Sequence, residues 1–411
     1  MIRIGQWPRQ HQNPLRELSA APEGGSRPAS LYLHAPFCFH KCHYCDFYSI
    51  VDSRDRQEAF TGRLIRELEA LAPFAARPLR TIFVGGGTPS LLRVELWERL
   101  LAALERYYDL SEIRGGRGEF TVECNPETVT PELMRALRAG GVDRVSVGAQ
   151  SFEARHLKTL ERWHEPANVG RALELARQAG IERTSVDLIF AIPGQTLEEW
   201  QRDLERGLEQ GVEHMSCYAL TYEPNTAMTK RMERGEFARA DEELEADMYE
   251  LTVETLGRAG LARYEVSNFA RRGQESLHNL AYWRGEQWLA AGPSASAHVA
   301  GWRWKNVARL DDYLSGDDAG FAPAVDVEAP DGRRALVERI MMGIRLREGL
   351  ERAGVLEEAQ RAFGEGAVEA IEREAAALEA EGVLACDPER LRLTEAGFLL
   401  ADLAARRLAP A

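Results

Sequence analysis

His34-Ala35-Pro36-Phe37-Cys38-Phe39-His40-Lys41-Cys42-His43-Tyr44-Cys45 gathers three thiols within eight residues, directly behind an apolar run, 31–36, that reads as a short strand. Thiolates a few residues apart on an irregular loop can wrap one metal centre, and iron–sulfur clusters are held by cysteines in such short-spaced runs. Zinc usually takes a second Cys or His pair, which is missing here, although His40 or His43 could complete a tetrahedral site. Chance clustering of structural cysteines is the plain alternative. Three thiolates on a four-iron cube leave one iron open to a small molecule carrying amino and carboxylate groups.

Outward from this loop, short apolar runs alternate with helix-length amphipathic segments. Strands are expected at 31–36, 81–85, 119–124, 144–148, 184–190 and 215–222, and helices near 54–72, 91–108, 131–140, 167–179 and 197–210. Such alternation makes a parallel sheet with right-handed crossovers, either doubly wound or a complete or partial barrel. In both, ligands collect at the carboxyl ends of strands, where this chain places Gly85-Gly86-Gly87-Thr88-Pro89, Glu123-Cys124-Asn125-Pro126 and Gly148-Ala149-Gln150-Ser151. The alternation fails near residue 224. An acidic helical stretch, 241–257, an aromatic- and Gly-rich loop, and a second helix-rich region beyond 320 follow. Residues 1–29 show no apolar period and read as a loose arm.

The chain has 411 residues, with 65 acidic against 51 basic side chains and a net charge of -14, which argues against nucleic acid as main partner. Charges interrupt every long apolar stretch, so no membrane span is expected. The first twenty residues lack the apolar core of a secretory signal, and a cytoplasmic address is the expectation. Six cysteines are too few for a disulfide framework in a chain this long. Cys124, Cys217 and Cys386 read as buried apolar thiols.

The Cys38–Cys45 run resembles the signature of the radical S-adenosylmethionine (SAM) superfamily, and the glycine run 85–89 is similar to that superfamily's methionine-binding motif. The resemblance spans residue 31 to the end and is nearest to the branch holding oxygen-independent coproporphyrinogen III oxidase and haem chaperones. It implies an α/β fold, a partial (βα)6 TIM-like radical SAM barrel with a small helix-rich, winged-helix-like C-terminal domain. The organisation it implies is an arm at 1–29, a core at 30–224, a connecting region with a haem-motif loop at 225–320, and the C-terminal domain at 321–411. By resemblance, Cys38, Cys42 and Cys45 hold a [4Fe-4S] cluster, and Tyr32, Gly86, Gly87, Thr88, Glu123, Gln150, Arg162 and Asp187 contact SAM. Carboxylates suit ribose hydroxyls or an amino group, and an arginine suits the methionine carboxylate.

Two features separate the branch members. The oxidases carry a further cysteine two places beyond the third, where this chain has Phe47, and a longer N-terminal region. His278-Asn279-Leu280-Ala281-Tyr282-Trp283 resembles the HNxxYW motif tied to haem binding in the chaperones, an imidazole for iron and two flat rings for porphyrin. The expectation is therefore a haem chaperone with haem at His278, Tyr282 and Trp283, serving membrane-bound respiratory haemoproteins. A ferredoxin-like electron donor, a homodimer and peripheral membrane contact are compatible with it. The alternative is an enzyme, the radical oxidative decarboxylase of coproporphyrinogen III. The loop 292–298 is similar to a small-residue loop of the branch.

Overall fold

The computed structural model describes residues 12–16, 18, 26–316 and 319–410. Six strands, β1 Ser30–Ala35, β2 Thr81–Gly86, β3 Glu119–Cys124, β4 Arg144–Gln150, β5 Arg183–Phe190 and β6 His214–Ala219, pair in parallel, each with the next in chain order. A doubly wound sheet reverses its strand order in the middle; sequential order with right-handed crossovers puts every helix on one face and curls the sheet around the other. Accordingly the helices Gln57–Leu71, Val94–Tyr107, Pro131–Ala139 and Ala167–Gln178 touch one another in turn around the outside. Their apolar stripes explain why: Trp97, Leu100, Leu101 and Leu104 of the second are all buried.

Strand side chains alternate between the two faces. One set, including Phe120, Val122, Val145, Val147, Val186, Leu188 and Met215, is apolar and buried under the helices. The other set faces the lumen and is polar: Glu119, Thr121 and Glu123 on β3, Arg144 and Ser146 on β4, Ser185 and Asp187 on β5, His214 and Ser216 on β6.

The barrel stays open because further strands extend both edges. β7 Ala262–Glu265 and β8 Asn268–Ala270 pair antiparallel, and β8 continues from β6. β9 Trp288–Ala291 lies parallel to β1, and β10 Ser296–Val299, β11 Trp302–Asn306 and β12 Ala324–Glu328 meander outward from it. Within 225–320, the expected connecting region, lie β7–β11, with β12 just beyond; these strands are three to five residues long and rich in charged and aromatic residues, too short to show a period. The loop after β9 is structural. Gly292 has φ +101° where a Cβ would meet the His34 carbonyl, and its N–H donates to the buried Glu67, which also holds Asn306 and Tyr313.

In the described part of 1–29, Asn13, Pro14 and Leu15 are buried, and the Asn13 amide donates to the Ala322 carbonyl at 3.3 Å. The rest of that stretch lies largely outside the described residues. At the other end, helices Gly332–Gly343, Arg352–Phe363 and Glu365–Ala380 pack with a three-stranded antiparallel sheet, β13 Leu350–Glu351, β14 Leu384–Cys386 and β15 Arg390–Leu393, in the order β13-β15-β14. Cys124 and Cys217 are buried as expected, whereas Cys386, on the edge strand β14, is only half-buried.

Candidate functional site

The carboxyl ends of β1–β6 surround a cavity of about 400 Å³. Cys38, Cys42 and Cys45 form one wall; Gly86, Gly87, Thr88, Glu123, Gln150, Arg162 and Asp187 line the rest. Seven of the eight residues expected to contact SAM thus meet around one space with the thiols. The eighth, Tyr32, does not: a pleat below the strand end, its hydroxyl lies 3.1 Å from His34 Nδ1 and its ring lines a second, lower cavity.

Local backbone features aim these groups. A bulge between Gly148 and Gln150 breaks the β4–β5 register and leaves Gln150 at φ +66°, turning its side chain into the cavity. The helix Ala154–Leu160 ends at Glu161 in the left-handed conformation, φ +54°, and the reversal sends Arg162 inward. There Arg162 Nη2 donates to the Gly148 carbonyl at 2.9 Å, Nη1 lies 3.6 Å from Cys42 Sγ, and Nε is buried without a partner. Gly86, at φ +108°, donates its N–H to Glu123 Oε2 at 3.1 Å.

Burial pushes the Glu123 carboxyl up to about 7, helped by the charge of Asp187; the Asp187 carboxyl is raised by burial and held back by Ser216 and by Ser146, whose hydroxyl donates to it at 2.9 Å. Burial likewise raises the Cys38 thiol, and takes Cys45 to about 11. Loading a metal centre here would therefore displace protons. All six cysteines are free thiols. Among the described residues no three His, Cys, Asp or Glu side chains are gathered to hold a single ion. Thiols spread along a wall suit a cube, which takes one thiolate at each of three corners, better than a lone zinc. The orphaned Arg162 Nε and the donor set of Glu123, Asp187 and Gln150 fit a zwitterionic nucleoside beside it. The mouth is apolar: Phe39 and Trp163 are 72% and 59% exposed, and His40 stacks on Trp163 at 4.2 Å.

Below, the lumen holds the second cavity, about 140 Å³, lined by Tyr32, Phe83, Arg144, His214, His278 and Tyr282 together with Glu123, Ser146, Asp187 and Tyr218, which it shares with the upper one. Its floor is the helix Leu277–Trp283, which crosses from β8 to β9. Glu119 clamps the start of that helix, accepting from Ser276 Oγ at 3.0 Å, Leu277 N at 2.9 Å and His278 N at 3.2 Å, and is itself paired with Arg183 at 3.0 Å. The three expected haem residues are therefore apart from the thiols, at the opposite end of the barrel. His278 is 1% exposed with Nδ1 at 2.8 Å from Thr81 Oγ1, Phe83 stacked on it, and Nε2 buried without a partner. Tyr282 packs edge-on against it, and Trp283 lines neither cavity. The C-terminal region sits beneath: helix Gly332–Gly343 touches the floor helix and Arg284 pairs with Glu348 at 2.9 Å.

Residues 32–207 match the radical SAM superfamily and residues 331–400 the HemN C-terminal domain. The haem chaperone HemW of Lactococcus lactis is 34% identical over 385 residues, covering 92% of this chain and 96% of that protein. HemW of Mycobacterium tuberculosis is 37% identical over 402 residues, covering 97% and 98%. The chain belongs to the HemW family. This HemW-family chain shares its fold with the solved structure of coproporphyrinogen III oxidase (HemN) from Escherichia coli, which superposes with a TM-score of 0.80 at 22% identity over 93% of this chain and 90% of that one. Membership of the radical SAM superfamily implies SAM and a [4Fe-4S] cluster, so the upper cavity of this HemW-family chain is where both are to be sought.

Sequence reasoning passed over Arg144, Ser146 and Tyr218. Their signal was the polar alternation of the strands: Arg144 and Ser146 are two apart, as are Ser216 and Tyr218, each pair on one face.

Proposed function

We propose that this chain is a haem chaperone that carries haem to membrane-bound haemoproteins such as respiratory enzymes, from the cytoplasm, under the control of a SAM-capped [4Fe-4S] cluster. In this reading Cys38, Cys42 and Cys45 hold the cluster, Arg162 receives the methionine carboxylate, and Glu123 and Asp187 accept from the ribose and amino groups, with Gly86, Gly87, Thr88 and Gln150 closing around them. When bound, the reduced cluster supplies an electron to the sulfonium. The protein's part is to orient that sulfonium, keep the carboxylates desolvated and exclude bulk water. Haem is cargo, taken by His278 with Tyr282 and Trp283; the organisation 30–224, 225–320 and 321–411 then separates cofactor core, haem segment and cover.

The observation carrying the haem reading is the His278 ring itself. A metal-binding imidazole has one nitrogen fixed by a hydrogen bond and the other free, and here Thr81 fixes Nδ1 while Nε2 has no partner. Among the described residues no helix is long and apolar enough to cross a membrane, consistent with a carrier that meets its recipients from outside the bilayer.

The test uses anaerobically reconstituted protein. Iron, sulfide and SAM uptake should vanish in Cys38→Ser, and haem should give a Soret band that His278→Ala weakens at least tenfold while its cluster remains. Consumption of coproporphyrinogen III at catalytic rates would overturn the chaperone reading in favour of the decarboxylase.

A further inference from the structure

Arg144 opens β4 with its side chain in the lumen, is 3% exposed, and among the described residues its side chain is bonded to Thr121 Oγ1 alone, at 3.5 Å. Among the described residues no carboxylate lies within ion-pair distance of it. Elsewhere in the same lumen arginines are paired closely, as Arg183 is with Glu119 and Asp143 at 3.0 and 3.1 Å. A buried guanidinium without a facing carboxylate is costly unless its field acts on charges nearby. Three buried carboxylates lie in that field: Glu119, which Arg144 and Arg183 hold below the usual carboxylate range against the cost of burial, and Glu123 and Asp187, which share the cavity of Arg144 and, among the described residues, have no arginine paired to them. The latter two sit on the strands flanking β4, two and four registered positions above it, and each is buried.

We propose that Arg144 is the counter-cation of the Glu123–Asp187 pair, a positioning residue that keeps both carboxylates ionised from below so that they can accept from the cationic ligand above. This rests on the reading of the upper cavity as a SAM site. Two carboxylates buried side by side disfavour each other's ionisation. Arg144 pulls the Glu123 and Asp187 carboxyls back down, and Arg162 does the same for Asp187 from the opposite side.

Among the described residues no other cation answers for Glu123 from the elements around it. From β2 it receives only the neutral Gly86 N–H. On β6, His214 is held well below its usual value by burial and by Arg144 and Arg183, and burial raises the Tyr218 phenol. From the floor helix, burial lowers His278 to about 4 and raises Tyr282; on β1 it raises Tyr32. Beside it on β3, burial takes the Cys124 thiol to about 12. All of these are uncharged near neutrality, and Arg144 is left as the cation that decides the state of Glu123.

SAM affinity of the reconstituted protein, measured by equilibrium dialysis from pH 5.5 to 9, should rise with pH through a midpoint near 7. Arg144→Met should move that midpoint up by about one unit, weakening binding about tenfold at neutrality and recovering by pH 9, and Arg144→Lys should restore the native profile. A ¹³C titration of Glu123 in cluster-free protein should show the same shift. An unmoved midpoint in Arg144→Met, or a loss of binding equal at all pH values that lysine does not rescue, overturns the proposal. If Arg144→Met does not fold at about pH 8, it should fold better as the pH is lowered toward about 6, where the carboxyl takes up its proton; a folding defect that does not ease with pH overturns the proposal too. Wild-type protein that takes up no SAM at any pH would sink the reading of the cavity, while the Glu123 titration still decides the role of Arg144.

Discussion

Thr81 Oγ1 stands 2.8 Å from Nδ1 of His278 across 197 residues of chain, joining the second barrel strand to the helix that floors the lumen. The contact selects which ring nitrogen faces the cavity. Thr81→Val keeps the shape of the side chain and removes the partner, leaving a buried ring nitrogen unsatisfied, a cost of about 1–3 kcal/mol. Urea unfolding of the haem-free variant should show that loss. Its haem affinity should also fall, since the imidazole is no longer held in one tautomer.

Among the glycines lining the upper cavity, Gly86 leaves the least room for a Cβ. Its φ of +108° and the 2.5 Å separation between a built Cβ and the His34 ring leave no room for a side chain. Gly86→Ala should cost on the order of 3 kcal/mol, combining left-handed strain with overpacking. It should also break the Gly86 N–H bond to Glu123, so SAM uptake should fall even at temperatures where the variant is folded; calorimetry and dialysis on one sample separate the two effects.

The barrel strands and outer helices were legible in the sequence because each carries enough residues for a period to show: β3 begins and ends where 119–124 was expected, and the helix expected at 131–140 runs Pro131–Ala139. The thiols and glycine run were legible because their spacing is local. The flanking strands β7–β12 were not, since three to five residues define no period and their partners lie far along the chain. Nor did spacing show that the His278–Trp283 motif would end up at the opposite end of the barrel from the thiols. That depends on Glu119, a residue that sequence alone presents as one more carboxylate on a strand.

His34 links pH to folding. Its ring is held between Tyr32 and the Tyr48 carbonyl, and burial lowers its pKa to about 4. The unfolded chain binds a proton there below about 6.5 and the folded one does not. Stability from this group is thus full above pH 6.5 and is lost as pH falls toward 4, with a slope approaching one proton. In His34→Gln, the dependence of unfolding free energy on pH between 4 and 6.5 should flatten by about that one proton. An unchanged slope would mean that the ring is protonated in the native protein.

Haem cannot reach His278 in the arrangement described. The lower cavity holds about 140 Å³, whereas sites for ligands of even modest size run to roughly 300–1,000 Å³. Binding must therefore follow displacement of the helix Leu277–Trp283, whose first turn is fastened by Glu119 to β3. Opening before binding gives a haem association rate that levels off as haem concentration rises, the ceiling being the opening rate. Glu119→Gln weakens the clamp and leaves Arg183 less well paired, at a stability cost of about 3–5 kcal/mol. Stopped-flow Soret traces should show the plateau in wild type and a higher plateau in the variant, and amide exchange at 276–283 should quicken in parallel. A rate that grows linearly with haem in both proteins would place the cargo elsewhere, on a surface open from the start.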